Sequence, residues 1–596
     1  MPLYEGRHNA ENKIHISEEV RSTIAFTTEE TLKRLLTLIE EAKGAVALDG
    51  WYGVDYLSVV EALKKQGCRA EFINANTLYK DQEQIATYKQ PFITDDPGFG
   101  YCNMDGRLID LMDLKKVEEL RVRLQEGVVV FGCGAAIPEL YDSYALTLYL
   151  DKTRQPLLWQ MWDGKLAPFG LDTPKEGYDW KEYYYCDYFL LHFQKHYLIE
   201  RMGYYIEAIS ADSLKMLPRE SYDEIIQTML KYPIKEVEIY QPGPWGAYRY
   251  KDFWDIKGLE CNAWNELAGP ELSILIDVGG EEPLNMPFVN LMQYADDLVG
   301  PYLNETYPHL FPLDAWLDDG YFPEKTPAER ISMPIHTHPS TDYVKRHFNE
   351  PIGRYETYYI AEAYEGANTW MGFNNEADLE EWERKCRESN NLKEIPDWKN
   401  YICNWESRVG DLYLIPPGTD HGHGGNQMVL ELDTCPSIAG TEYSFFSYDF
   451  ARCSWDDNTK TMTGKPVKMH LDHSFNCSKF RREDYVDKKL RAKPSVVKWT
   501  KDYYLDRYSS VPEMPFEIER IHYYNHGEYS TEGRFCHIVT LTVGKHAKIY
   551  SKADPSLCTE INLFQAAVIP ASFGEYVVES DGEGANTVTL VRWKKG

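Results

Sequence analysis

The sequence predicts a multidomain chain of mixed class: an α/β region built on a parallel sheet, then an all-β region with helical insertions. Three observations predict it. The 596 residues correspond to about four folding units at roughly 150 residues each. Strand and helix patterns alternate up to about residue 231, as crossover helices on a parallel sheet require. Beyond that point short apolar alternations punctuated by Gly and Pro take over, the texture of antiparallel barrels. The motif pattern trims that number to three predicted domains, 1–231, 232–500 and 501–596.

In the first region, Thr28 to Ala42 carries apolar residues at helical spacing behind a Thr and two acids, a helix start. Ala45 to Leu48 follows as a strand, and Tyr56 to Gln66 as a helix. Val128 to Phe131 is a second buried strand, leading into Gly132-Cys133-Gly134. Helical pattern returns from Tyr183 to Ala208 and from Ser221 to Lys231. In the second region, helical inserts are expected at Pro287 to Leu303 and Glu376 to Glu388. The basic, loosely patterned stretch from Lys460 to Lys501 reads as a linker, and everything from Pro515 onward as strands.

Composition narrows the function. With 43% apolar and 26% charged residues the chain is globular rather than disordered. A net charge of −31 repels phosphate backbones and anionic lipid heads, so neither nucleic acid nor a membrane is an expected partner. Aromatic residues reach 14%, with 44 tyrosines, a composition that suits carbohydrate ligands. No basic start precedes an apolar stretch at the N-terminus, and no apolar run approaches the ~20 residues of a membrane helix. The 12 cysteines are scattered without a C-x-x-C pair, which fits reduced thiols. A cytoplasmic location is the expectation.

Two segments carry chemistry. Ala45 to Ser58 has the strand–turn–helix form of a phosphate-binding loop, with Gly50 and Gly53 in register. The second loop glycine is Asp55, the lysine is Tyr56 and the hydroxyl residue is Leu57, so both phosphate-handling side chains are missing and ATP is not expected. The second segment is metal chemistry. Pro334 to Pro339 supplies H-x-H, and residues two apart on a strand face one side, so His336 and His338 can address one ion. Gly410 to His421 reads G-x5-P-x-G-x2-H without a gap and adds His421, while the strand from Gly353 to Ile360 adds Glu356. Three imidazoles and a carboxylate suit Zn²⁺, Mn²⁺, Fe²⁺ or Ni²⁺. His423, two along from His421, is an acid/base candidate facing the same cavity.

On these residues the chain resembles two families. The strand–turn–helix, DDPGFG at Asp95 to Gly100 and VVVFGCGAA together resemble uridine-kinase-like P-loop proteins over about 200 residues, implying a degenerate domain with that fold. From about Tyr240 onward the chain resembles the class I mannose-6-phosphate isomerases, which are cupin proteins. GPWGAYRY, ECNAWNELAG, HTHP, GRYETYYI, GDLYLIPPGTDHGHGGN and SYDFAR carry that likeness. The resemblance implies zinc held by His336, His338, Glu356 and His421, two cupin barrels, and interconversion of an aldose and a ketose phosphate. His336 replaces the family's Gln, Arg354 replaces its active-site Lys, and the family's strand carboxylate maps to Glu431. The family's catalytic Arg has no counterpart, because no Lys or Arg stands from Gly410 to Ala451; Thr441 or Phe446 takes its place. The second barrel lacks a His at its equivalent of the second motif and is expected to bind no ligand.

The expectation is a metal-dependent sugar or sugar-phosphate isomerase or epimerase. Glu431 or His423 would move the proton, Arg354 would steady the enediolate, and a small carbohydrate would be the substrate. A non-catalytic sugar-sensing protein and an iron-dependent cupin oxygenase are the alternatives.

Overall fold

Unbroken apolar strands set the centre of the N-terminal unit, which comprises Glu11–Met229 and Ser273–Gln293. The computed structural model describes residues 4–594 except 176, 179, 322–331, 441, 457, 460 and 581–583. Ala45–Gly50 and Val128–Phe131 are buried along their whole length, as strands covered on both faces must be. They lie side by side in a six-stranded sheet ordered Glu71–Asn74, Val128–Phe131, Ala45–Gly50, Tyr144–Asp151, Tyr204–Ala208, Leu214–Pro218. All neighbours are parallel except the last pair. The strand order reverses beside Ala45–Gly50, opening a crevice at the carboxyl ends of the strands.

Helix Thr28–Glu41 begins at a capping box in which Thr27 and Glu30 satisfy each other's backbone N–H groups. It buries Thr31, Leu32, Leu35 and Ile39, the helical stripe read from the sequence. The predicted helix from Tyr183 to Ala208 is corrected. A π-helical turn, Tyr183–Asp187, leads into helix Tyr188–Ile199, and Tyr204–Ala208 is a strand of the sheet. Gly203 donates its N–H to the Thr147 carbonyl there, drawing the chain into the ladder.

The other unit comprises residues 4–10, Leu230–Leu272 and 294 onward. An eight-stranded sheet runs Tyr4–Gly6, Glu238–Gln241, Trp264–Ala268, Leu313–Asp319, Gln427–Thr434, Glu356–Ala363, Leu412–Ile415, Arg491–Ala492. A five-stranded sheet runs Ile402–Glu406, Asn368–Phe373, His421–His423, Ile335–Thr337, Phe445–Tyr448. Two further sheets, of six and four strands, hold the residues from Pro494 to Trp593. Helix Leu379–Ser389 fills the expected insert behind an Asp378 cap. Short helical turns from Phe288 to Thr306 fill the other.

The linker reading of 460–501 is also corrected. Helix Leu471–Cys477 and strands Arg491–Ala492 and Pro494–Trp499 lie inside it. Pro494–Trp499 pairs with Tyr503–Tyr508 in a hairpin. Every residue of Pro494–Trp499 is exposed, which removes the polar alternation that marks a half-buried strand. No helix among the described residues is long and apolar enough to cross a membrane, and all twelve cysteines are free.

Candidate metal centre

Strand geometry brings the predicted ligands together. His336 pairs directly with His421 across the five-stranded sheet. His338 follows the end of its strand, two residues from His336, and turns to the same side. Ring centroids lie 4.1 Å apart for His336 and His421, and 5.0 Å for His338 with each of the other two. Glu356, the first residue of its strand in the eight-stranded sheet, meets them from the opposite side. Its Oε2 lies 2.8 Å from His338 Nε2 and 2.6 Å from His421 Nε2.

The backbone fixes which nitrogen of each ring faces inward. Nδ1 lies 2.7 Å from the Pro334 carbonyl in His336, 3.0 Å from the Tyr443 carbonyl in His338 and 2.8 Å from the Thr419 carbonyl in His421. A carbonyl only accepts, so each Nδ1 carries a proton and Nε2 is the nitrogen of each ring that faces the site. His336 Nε2 is buried with no hydrogen-bond partner. Burial and the neighbouring His421 and His338 rings push its pKa well below the ordinary histidine value, which keeps the ring neutral. Burial favours the protonated form of Glu356, yet His338 and His421 outweigh it and hold the carboxyl well below its usual range. One ring nitrogen from each histidine and a Glu356 carboxylate oxygen all lie within 4.8 Å of one another. An orphaned buried nitrogen and a donor set of this kind fit a divalent metal ion.

Arg354, Glu431 and His423 are placed around that centre. Arg354 is buried, and its Nη2 lies 2.8 Å from Asp433, 3.5 Å from Glu431 and 3.6 Å from Glu356, with Nη1 3.4 Å from Asp314. Its guanidinium therefore balances a ring of carboxylates. Glu431 lies opposite Tyr358 in the ladder. Burial, with Asp318, Glu356 and Asp433 nearby, pushes its pKa well above the usual carboxylate value, and its Oε1 is buried without a partner. His423 Nε2 lies 2.9 Å from Asp318, and its Nδ1 donates to the Gly424 carbonyl at 3.0 Å. Burial opposes its charged form, but Asp318 carries its pKa above the ordinary value.

Asp314, Asp318 and Asp433 were missed in the sequence. A period-two signal was available: Asp314 and Asp318 share one face of Leu313–Asp319, and Asp433 stands two residues from Glu431. Asp314 and Asp433 are direct cross-strand partners, a like-charge pairing that Arg354 offsets. Of the two residues expected where the family has its Arg, Phe446 packs 5.8 Å from the His336 ring, and Thr441 lies outside the described residues. Trp245 stacks on Trp264 and touches Phe446, whereas Trp405 packs under Arg491.

Comparison with known proteins adds three findings. A family model described as "Domain of unknown function (DUF8485)" matches residues 30–231. The chain is 24% identical over 132 residues to "Probable mannose-6-phosphate isomerase GmuF" of Bacillus subtilis, covering 22% of this chain and 38% of that protein. It is 26% identical over 174 residues to the mannose-6-phosphate isomerase ManA of the same organism, covering 29% of this chain and 49% of that protein. The chain thus spans half or less of the length of the curated relatives it matches. The crystal structure of the mannose 6-phosphate isomerase from Bacillus subtilis aligns with 61% of this chain and 99% of its own, at 16% identity and a TM-score of 0.46. A mannose 6-phosphate isomerase bound with zinc and yttrium aligns with 61% of this chain and 100% of its own, at 9% identity and a TM-score of 0.41. By sequence, this chain is similar to the mannose-6-phosphate isomerases.

Proposed function

We propose that the protein is a metal-dependent aldose–ketose isomerase or epimerase acting on a sugar or sugar phosphate. The observation that carries this reading is the convergence of His336, His338 and His421 Nε2 with Glu356, next to the buried carboxyl of Glu431. Sequence similarity to mannose-6-phosphate isomerases supports it. The four donors would hold zinc most readily, with manganese, iron or nickel as other fits. When bound, the ion would polarise adjacent carbonyl and hydroxyl oxygens of an open-chain sugar and so would acidify the C–H between them.

The chain's own residues do the rest. Glu431 moves the proton between the two carbons at Oε1, and burial beside Asp318, Glu356 and Asp433 makes its carboxylate a stronger base than an exposed one. His423, fixed by Asp318, is the second proton carrier. Arg354 acts by balancing Asp314, Asp433 and Glu431, which would otherwise repel the developing negative charge. The test is incubation of metal-loaded protein in D₂O with mannose, fructose and their 6-phosphates, followed by NMR. Deuterium at C1 or C2 is expected, and its absence from every sugar sinks the isomerase reading.

The engagement of Arg354 with carboxylates favours a second reading, a sugar-binding protein without turnover. It predicts that the same sugars raise the melting temperature while no deuterium enters them.

A further inference from the structure

The crevice at the carboxyl ends of the parallel strands, in the N-terminal unit, belongs to no site described above. It encloses about 290 Å³, at the lower end of the roughly 300–1,000 Å³ typical of small-molecule sites. It lies where the strand order reverses, between the loops that follow Ala45–Gly50, Glu71–Asn74 and Val128–Phe131. Open α/β sheets bind ligands at that position.

Aromatic and apolar groups form its walls, among them Tyr52, Tyr56, Phe131 and Phe169. Tyr52 is fixed at both ends of its hydroxyl, donating to Asp187 at 2.9 Å and accepting from the Phe169 N–H at 2.9 Å. The wall is therefore rigid before any ligand arrives. Acceptor oxygens stand among the polar groups that line it. Asp55 spends one oxygen on the Ser58 N–H at 3.0 Å, capping helix Tyr56–Lys65, and its second oxygen is left for the crevice. Asp172 takes the Asn74 and Asn76 amides on a single oxygen, at 2.7 Å each. Gln160 donates its amide to the Gly53 carbonyl at 3.1 Å, which leaves its own carbonyl for a ligand.

Each lysine at or near the crevice has a partner. Lys165, the lining lysine, pairs with Asp163 at 2.8 Å, and nearby Lys152 donates to the Gly53 carbonyl at 2.8 Å. The helix N-terminus that favours an anion is already occupied by the Asp55 carboxylate. An anionic ligand would meet two carboxylates here, with Lys165 paired to Asp163 and Lys152 bonded to the Gly53 carbonyl beside Asp55.

We propose that this crevice is a second binding site, one for an uncharged, hydroxyl-rich ring of monosaccharide size. The ring's apolar face lies against the tyrosine and phenylalanine walls, and its hydroxyls donate to Asp55, Asp172 and Gln160. The site does not depend on the isomerase reading, because no metal ligand contributes to it.

The test uses the full chain in the presence of a chelator, with D-mannose, D-fructose and myo-inositol as neutral probes and mannose 6-phosphate as the anionic one. Saturation-transfer NMR titrations compare wild type, Ala167→Trp, which fills the crevice, and Asp172→Lys, an exposed change on its rim. At least one neutral probe is expected to bind wild type more tightly than mannose 6-phosphate does. Its affinity should fall about tenfold or more in Ala167→Trp, and Asp172→Lys should reverse the preference toward the phosphate. No binding by any neutral probe, tighter binding of the phosphate to wild type, or unchanged neutral binding in both variants would overturn the proposal. Should Ala167→Trp lower the melting temperature, the preference of Asp172→Lys decides alone.

Discussion

At the residue scale the metal centre is a set of tautomers fixed by the backbone. The carbonyls of Pro334, Tyr443 and Thr419 each take an Nδ1 proton, and every Nε2 is thereby committed inward. Removing one inward nitrogen should cost more metal affinity than the 10–100-fold typical of losing an outer hydrogen-bond partner. His421→Ala is therefore expected to purify with a much lower zinc content than wild type, measured by elemental analysis after dialysis against trace zinc. His336→Gln, which keeps an oxygen donor, should lose less. Arg354 yields a different prediction, because it is a buried cation among buried acids. Arg354→Met leaves Asp314 and Asp433 uncompensated and should destabilise the protein by about 3–5 kcal/mol, seen as a lower urea midpoint. The ligands were legible because H-x-H and G-x5-P-x-G-x2-H are local patterns with fixed spacing. The acids around Arg354 were not, because they come from separate strands and only the ladder register makes them neighbours.

At the element scale, legibility followed the strength of each segment's own signal. Thr28–Glu41 is announced by its cap and its apolar stripe, and the structure shows both. Thr27→Ala removes the side-chain acceptor for the Glu30 N–H and should cost about 1 kcal/mol, read from the unfolding midpoint with unchanged slope. Tyr204–Ala208 shows the opposite case. Its tyrosines and β-branched isoleucine favour a strand, but they follow a long aromatic helix that masks the change of period. Pro494–Trp499 carries no period at all, since both of its faces meet solvent and only the partner strand Tyr503–Tyr508 defines it. Assignments of that kind depend on tertiary pairing, which composition does not encode. The segment 273–293 belongs with the N-terminal unit for the same reason, because Ser273–Asp277 pairs with Glu11–Lys13 far away in the chain.

Across the whole molecule, the acidity that argues against anionic partners also governs how stability depends on pH. Ordinary carboxylates are ionised in both folded and unfolded states above about pH 5 and contribute no slope there. Buried ones differ. Burial pushes Asp49 up to about 6, against the opposing hydrogen bonds from the Ala136, Gly134 and Gly50 N–H groups. Burial likewise pushes Asp319 up to about 7. Each has a folded pKa above its unfolded value, so the native state holds a proton that the unfolded chain has released. The stability this contributes is complete below about pH 4 and is lost as pH rises through the folded pKa. For Asp49, a shift of roughly two units corresponds to about 3 kcal/mol. His336 and His537, whose pKa values burial lowers, act in the opposite direction, so the wild-type profile alone does not isolate the acids. Self-repulsion from the net charge of −31 adds a further slope that salt screens. Subtracting the profile of Asp49→Asn from that of wild type at high salt cancels both contributions. The melting temperature of wild type relative to the variant should fall steadily between about pH 4 and pH 6 and then level off. Asp319→Asn should show the same fall extended to about pH 7. A difference curve that stays flat across this range would show that neither buried carboxyl holds its proton in the folded protein.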